Sequence, residues 1–136
     1  MQKILIDSGP LIALFNANDR YHTASITFIK QNKAELISTI ASMTEVLHLL
    51  DFNRQAQADF LSWVSAGAIK IETIQASDLG RIRALIVKYA DLPMDFADAC
   101  LVFLAEKLKI DTVATIDRDF DVYRIHEKKP FTTLIK

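Results

Sequence analysis

Five acidic residues fall at the borders between segments of different periodicity. Asp7 ends the apolar run "KILI"; Glu45 sits in "SMTEVLHLL"; Asp95 and Asp98 open "MDFADACLVFLAEKL"; Asp117 follows "TVATI". Each has an ordinary explanation. An Asp after a strand can cap the next helix. Ser42 and Glu45 fit an S-x-x-E capping box. Asp95 and Asp98 suit the positive end of a helix dipole. Asp117, Arg118 and Asp119 suit a polar turn. What these explanations leave over is the apolar setting. Asp7 is preceded by "ILI", Glu45 is followed by "VLHLL", and Asp98 stands at helical spacing from Leu101, Val102 and Ala105.

Carboxylates that converge repel. At ~4 Å and an effective dielectric of ~20, two unit charges interact by roughly 4 kcal/mol. A cluster of them persists only if some are protonated or a cation neutralises them. Oxygen ligands alone suit a hard ion, Mg²⁺ or Mn²⁺. Such an ion activates water and stabilises charge on a phosphate under in-line attack.

The elements that must position these acids follow from the pattern. Strands are predicted at Lys3–Ile6, Glu35–Ser38, Ala68–Glu72, Thr112–Ile116 and Phe131–Ile135. Helices are predicted near Pro10, over Ser25–Lys33, Ile40–Leu50 and Asn53–Ser65 (stopping at Gly67), from Ser77 to about Tyr89, and from Pro93 to about Lys109. Alternation of this kind predicts an α/β fold with a parallel sheet covered by helices. Ligands in such folds gather beyond the carboxyl ends of the strands. All five acids are predicted at that end.

The bulk composition narrows the class. With 136 residues, 51% of them hydrophobic, the chain can bury a substantial core, and we read it as one domain over residues 1–136. Three Gly and three Pro are too few for a turn-dense sandwich or barrel. The single cysteine, Cys100, reads as a small apolar helix residue, and His22, His48 and His126 have no mutual spacing of a ligand set. No apolar run approaches the ~20 residues of a membrane span, and the N-terminus has no secretory pattern, so a cytoplasmic protein is expected. A formal net charge of −1 excludes recognition of nucleic acid by overall basic charge, and leaves a local patch as the alternative.

The stretches "ILIDSGPLIALF", "TEVLHLL", "DFADACLVFLAEKL" and "VATIDRDFDVY" resemble, in order and context, the PIN-domain nucleases. More narrowly they resemble the VapC-type toxins of type II toxin–antitoxin pairs. The resemblance covers nearly the whole chain and rests on the four motifs in series. It implies a PIN-like three-layer fold, with a parallel sheet of about four to five strands flanked by helices. It implies metal-dependent endonucleolytic cleavage of RNA, with Mg²⁺ or Mn²⁺ as cofactor. The family's four acids map to Asp7, Glu45, Asp98 and Asp117, with Thr115 as the accompanying hydroxyl. Asp95 is an extra acid one turn before Asp98, an alternate or further ligand. Ser8 is either a turn residue or a hydroxyl for a metal-bound water or phosphate, and Arg118 either a solvated charge or a contact to substrate phosphate. The implied partners are an RNA substrate, a cognate antitoxin and a second copy of the chain. The alternatives are a catalytically inactive PIN-like domain that binds RNA or protein, and a phosphoryl-transfer module. Against the latter, "ILIDSGPL" lacks a second aspartate two residues on, and Lys70 falls inside a strand instead of at its end.

Overall fold

The computed structural model describes residues 1–135. Strand β1 (Lys3–Ile6) leads into helix α1 (Ser8–Phe15), then α2 (His22–Gln31), β2 (Glu35–Ser38), α3 (Ile40–Leu49) and α4 (Arg54–Trp63). Strand β3 (Lys70–Ile71) precedes α5 (Leu79–Lys88) and α6 (Phe96–Leu108). Strand β4 (Thr112–Ala114), the short hairpin β5 (Arg124–Ile125) and β6 (Lys129–Pro130), and β7 (Thr132–Leu134) complete the order.

Five strands form one parallel sheet in the order β3-β2-β1-β4-β7. The chain begins in the middle, winds outward through β2 and β3, and returns to the other side of β1 with β4. The order therefore reverses between β1 and β4, which creates a crevice at the carboxyl ends of those two strands. Leu5 pairs with Val113 and Ile6 with Ala114. One residue further along, Asp7 and Thr115 leave the sheet side by side.

Both faces of the sheet are buried, as the unbroken apolar run of β1 requires. Leu5, Ile37 and Val113 pack against Ile82 and Leu85 of α5 and Leu101 and Leu104 of α6. Ile4, Ile6, Leu36 and Ala114 pack on the other face against Leu11 of α1, Val46 of α3 and Phe60 of α4. Period-two alternation along β1 sends its neighbours to opposite cores. Each fully buried Leu or Ile contributes about 1.5–3 kcal/mol relative to exposure.

The element boundaries differ from the sequence pattern where side chains compete for backbone groups. Helix α2 starts at His22 instead of Ser25, because Asp19 accepts the amide of Tyr21 (2.8 Å) and begins a turn upstream. The final turn of α4 widens through Val64–Ala68, with Gly67 at φ 104°, and this turn consumes the start of the expected third strand. Ser77 is not the cap of α5. Gln75 and Asp78 form a capping box around a short 3₁₀ turn there. Helix α6 begins after Asp95, not at Pro93. Strand β4 stops at Ala114, since the next hydroxyl, Thr115 Oγ1, takes the amide of Asp117 (2.9 Å). The hairpin of β5 and β6, turned through His126 and Glu127 at positive φ, has no counterpart in the sequence expectation.

Candidate active site

Asp7 is the N-cap of α1 and is buried. Its Oδ1 accepts the Ser8 amide (2.8 Å) and its Oδ2 accepts the Thr115 hydroxyl (3.0 Å). The cap explanation and the cluster explanation for this residue therefore both hold. Gly9 permits the tight approach of α1 to the loop after β4: a Cβ there would lie 2.7 Å from Ile116 Cγ1. Thr115 is fully buried, and its hydroxyl joins Asp7 to the backbone of Asp117. Asp117 caps the 3₁₀ turn Arg118–Asp121 by accepting the Asp119 amide (2.9 Å).

Asp98 is buried in the first turn of α6. Asp95 is exposed and is the N-cap of that helix, accepting the Asp98 amide (2.8 Å). The two aspartates thus separate. Asp98 joins Asp7 and Asp117, and one carboxylate oxygen from each of these three lies within 4.8 Å of the others. Asp95 stays outside this group and acts on it through its charge.

Glu45 does not complete the capping box that its spacing with Ser42 suggested. Thr39 caps α3 instead, accepting the Ser42 amide (3.2 Å). Glu45 is drawn across to α1, where its carboxylate accepts a short hydrogen bond from the Ser8 hydroxyl. It stands at the edge of the triad, close enough for its charge to act on Asp7. Arg118 is exposed one residue after Asp117, and its side chain makes no ion pair or hydrogen bond among the described residues.

The electrostatics follow from the crowding. Burial pushes the Asp7 carboxyl up from 3.8 to about 7. The charges of Asp117 and Glu45 add to the rise, while the bonds from Ser8 and Thr115 oppose it. Burial, then the charges of Asp7 and Asp95, raise Asp98 to about 8. A bond from the Tyr123 hydroxyl (3.0 Å) acts in the other direction. Near neutral pH Asp98 keeps most of its proton and Asp7 is only partly ionised, unless a cation takes the protons' place. Three oxygen donors from three separate elements, two of them this reluctant to ionise alone, fit a hard divalent ion.

Sequence reasoning missed Tyr123. It is fully buried, donates to Asp98 Oδ2, and its own ionisation is pushed far up by burial and by the Asp98 charge. The residue lies within "VATIDRDFDVY", but a lone Tyr at the end of a motif has no spacing that points back to an acid 25 positions earlier.

Beside the acids lies a cavity of about 910 Å³ between α3, the segment after β3 and the start of α6. Glu45 and Asp95 are among its lining residues, with the apolar side chains of Ile40, Ile74, Leu79 and Phe96.

A parallel α/β sheet that gathers three carboxylates, two of them buried, at its switch point defines a protein with an acidic cluster that could hold a metal ion. The chain belongs to the PIN domain family, whose model matches residues 4–125. Among curated relatives it is similar to Ribonuclease VapC26 of Mycobacterium tuberculosis, with 26% identity over 117 residues, or 85% of this chain and 87% of the relative. Among solved structures it is similar in fold to Mycobacterium tuberculosis VapC20, described as a Sarcin-Ricin loop cleaving toxin. That match has a TM-score of 0.82 at 19% identity and covers 93% of this chain and 99% of the other. The expected three-layer PIN-like fold is therefore the observed one, with five parallel strands in its sheet.

Proposed function

We propose that this protein is a Mg²⁺- or Mn²⁺-dependent endoribonuclease and the toxin of a toxin–antitoxin pair, its whole length serving as one nuclease domain. The observation that carries this is the meeting of Asp7, Asp98 and Asp117 oxygens within 4.8 Å at the switch point of a PIN-domain sheet. The names of the relatives, a ribonuclease and a Sarcin-Ricin loop cleaving toxin, agree with it.

Asp7, Asp98 and Asp117 hold the ion, with Glu45 as a further ligand at the rim and Asp95 as an outlying charge. Held by these residues, a divalent ion would supply activation of water and charge stabilisation at the scissile phosphate. The chain's own part is placement. Thr115 fixes Asp7 relative to Asp117, and Ser8 restrains Glu45. The exposed guanidinium of Arg118 contacts substrate phosphate beside Asp117. A phosphodiester is the bond such a site can hydrolyse, and RNA is the proposed substrate because the curated relative is named a ribonuclease.

A cognate antitoxin and a second copy of the chain are the proposed protein partners. The apolar cavity beside the acids supports a protein contact there. No helix among the described residues is long and apolar enough to cross a membrane, and the proposed location is the cytoplasm.

The test is cleavage of total and structured RNA by purified protein in EDTA, and after Mg²⁺ or Mn²⁺ is restored. Activity should need the metal and disappear in Asp7→Asn and Asp98→Asn. Cleavage that persists in EDTA, or in the double variant, overturns the mechanism.

A further inference from the structure

Three carboxylates on three different elements hold a cation well only if their relative positions are fixed. Asp7 and Asp117 are joined directly through Thr115, whose hydroxyl donates to Asp7 Oδ2 and accepts the Asp117 amide. Asp98 is on α6, and among the described residues no single side chain links it to either strand end in this way. The chain beyond Asp117 provides the link. Asp117 Oδ1 accepts the amide of Asp119, and the Asp119 carbonyl accepts the amide of Tyr123 (3.1 Å). Tyr123 then turns its hydroxyl back to Asp98 Oδ2 (3.0 Å). Hydrogen bonds thus run without a gap from Asp7 through Thr115, Asp117, Asp119 and Tyr123 to Asp98.

The last step of that series is rigid. Tyr123 is fully buried. Its ring meets Tyr89 and Phe120 edge-on, each at a centroid distance of 5.0 Å. Tyr89 is itself fixed, since its hydroxyl accepts the Arg124 amide (2.9 Å). The hydroxyl of Tyr123 therefore cannot follow Asp98 if that carboxylate rotates. It holds the carboxylate in one orientation, as partners of metal-bound groups commonly do.

We propose that Tyr123 is a positioning residue for the cation: its hydroxyl locks the Asp98 carboxylate relative to Asp7 and Asp117, so that the three oxygens are arranged before the ion arrives. This rests on the divalent-ion reading of the site. It adds a residue that touches neither ion nor substrate and whose loss is felt through Asp98.

Mn²⁺ binding to the full-length protein, followed by isothermal titration with the metal alone, tests it. Tyr123→Phe keeps the buried ring and removes only the hydroxyl. Its affinity for Mn²⁺ should fall by about 10-fold or more, with the circular dichroism spectrum unchanged. Tyr89→Phe perturbs the same aromatic group and strands the Arg124 amide without touching an acid. It should lower the melting temperature and leave Mn²⁺ affinity at the wild-type value. Wild-type affinity in Tyr123→Phe overturns the positioning role while the metal site stands. Equal losses in both variants overturn it too, by reducing Tyr123 to packing. A wild-type protein that takes up no Mn²⁺ overturns the metal reading itself.

Discussion

Replacing Asp98 by Asn should make the metal-free protein more stable, and increasingly so as the pH rises. In the unfolded chain the Asp98 carboxyl ionises near 3.8; in the fold it does so near 8. Below about pH 4 both states carry the proton and the acid costs nothing. Above that, the unfolded state gains from ionising and the folded state does not. Stability is then lost progressively as the pH climbs toward the folded value. Each pH unit of that interval contributes about 1.4 kcal/mol. The upper figure is about 4 kcal/mol at pH 7 and between about 1 and 2 kcal/mol at pH 5. Asn is neutral throughout and still offers an oxygen to the Tyr123 hydroxyl. For a chain of this size 1 kcal/mol moves the melting temperature by about 3 °C. Melting in EDTA should therefore show Asp98→Asn above wild type, with the gap widening by up to about 8 °C between pH 5 and pH 7. Saturating Mn²⁺ should close or reverse the gap at neutral pH, because it stabilises the wild-type site and not the variant. A variant that melts at or below wild type in EDTA at both pH values would refute the crowding on which the site rests.

The other predictions concern the surroundings of the triad. Thr115→Val keeps the shape and removes the hydroxyl between Asp7 and Asp117; it should lower stability by about 1–3 kcal/mol by orphaning a buried partner, read by urea denaturation, and weaken Mn²⁺ binding in parallel. Arg118→Ala should raise KM for RNA, flatten its salt dependence and leave metal binding and melting unchanged. Gly9→Ala should push Ile116 and the loop behind it, reducing cleavage more than its small gain in helix propensity stabilises, as seen by comparing kcat with melting temperature. Glu106→Ala removes the bidentate partner of Arg81 (2.8 and 2.9 Å) and the acceptor of the His126 amide; because Arg81 is part-exposed and still pairs with Glu127, the cost should be about 1–3 kcal/mol. This loss lies away from the acids and should lower melting temperature without changing Mn²⁺ affinity.

Much of this arrangement could be read from the sequence because it depends on local rules. Strand β1 is an apolar run whose end is marked by an acid, and β2 matched at both ends because "ELIS" is bounded by polar turns. The convergence of acids was legible through topology: alternating strands and helices send successive strand ends to one edge. Roles that depend on contacts across space were not legible. Whether Asp95 or Asp98 enters the cluster turns on which of them caps α6, and both spacings suit a first helical turn. Glu45 fits a capping box in sequence, yet Ser8 captures it from another helix. Tyr123 needs the path of the loop after β4 to be known before its hydroxyl can be aimed. Short strands such as β3 and the hairpin of β5 and β6 carry too few residues for any periodicity.

Asp7, Asp95 and Asp117 each fasten the first turn of a helix by taking a main-chain amide. Two of them also belong to the triad. A lineage released from the need to cut RNA would still be under pressure at positions 7 and 117, because an aliphatic side chain there unties a helix start as well as disarming the cleft. Decay of activity would be expected to pass through Asn, Ser or Thr, which keep an acceptor for the amide, before anything apolar. A retired copy of this protein would thus preserve the outline of its acidic centre long after the centre had stopped working.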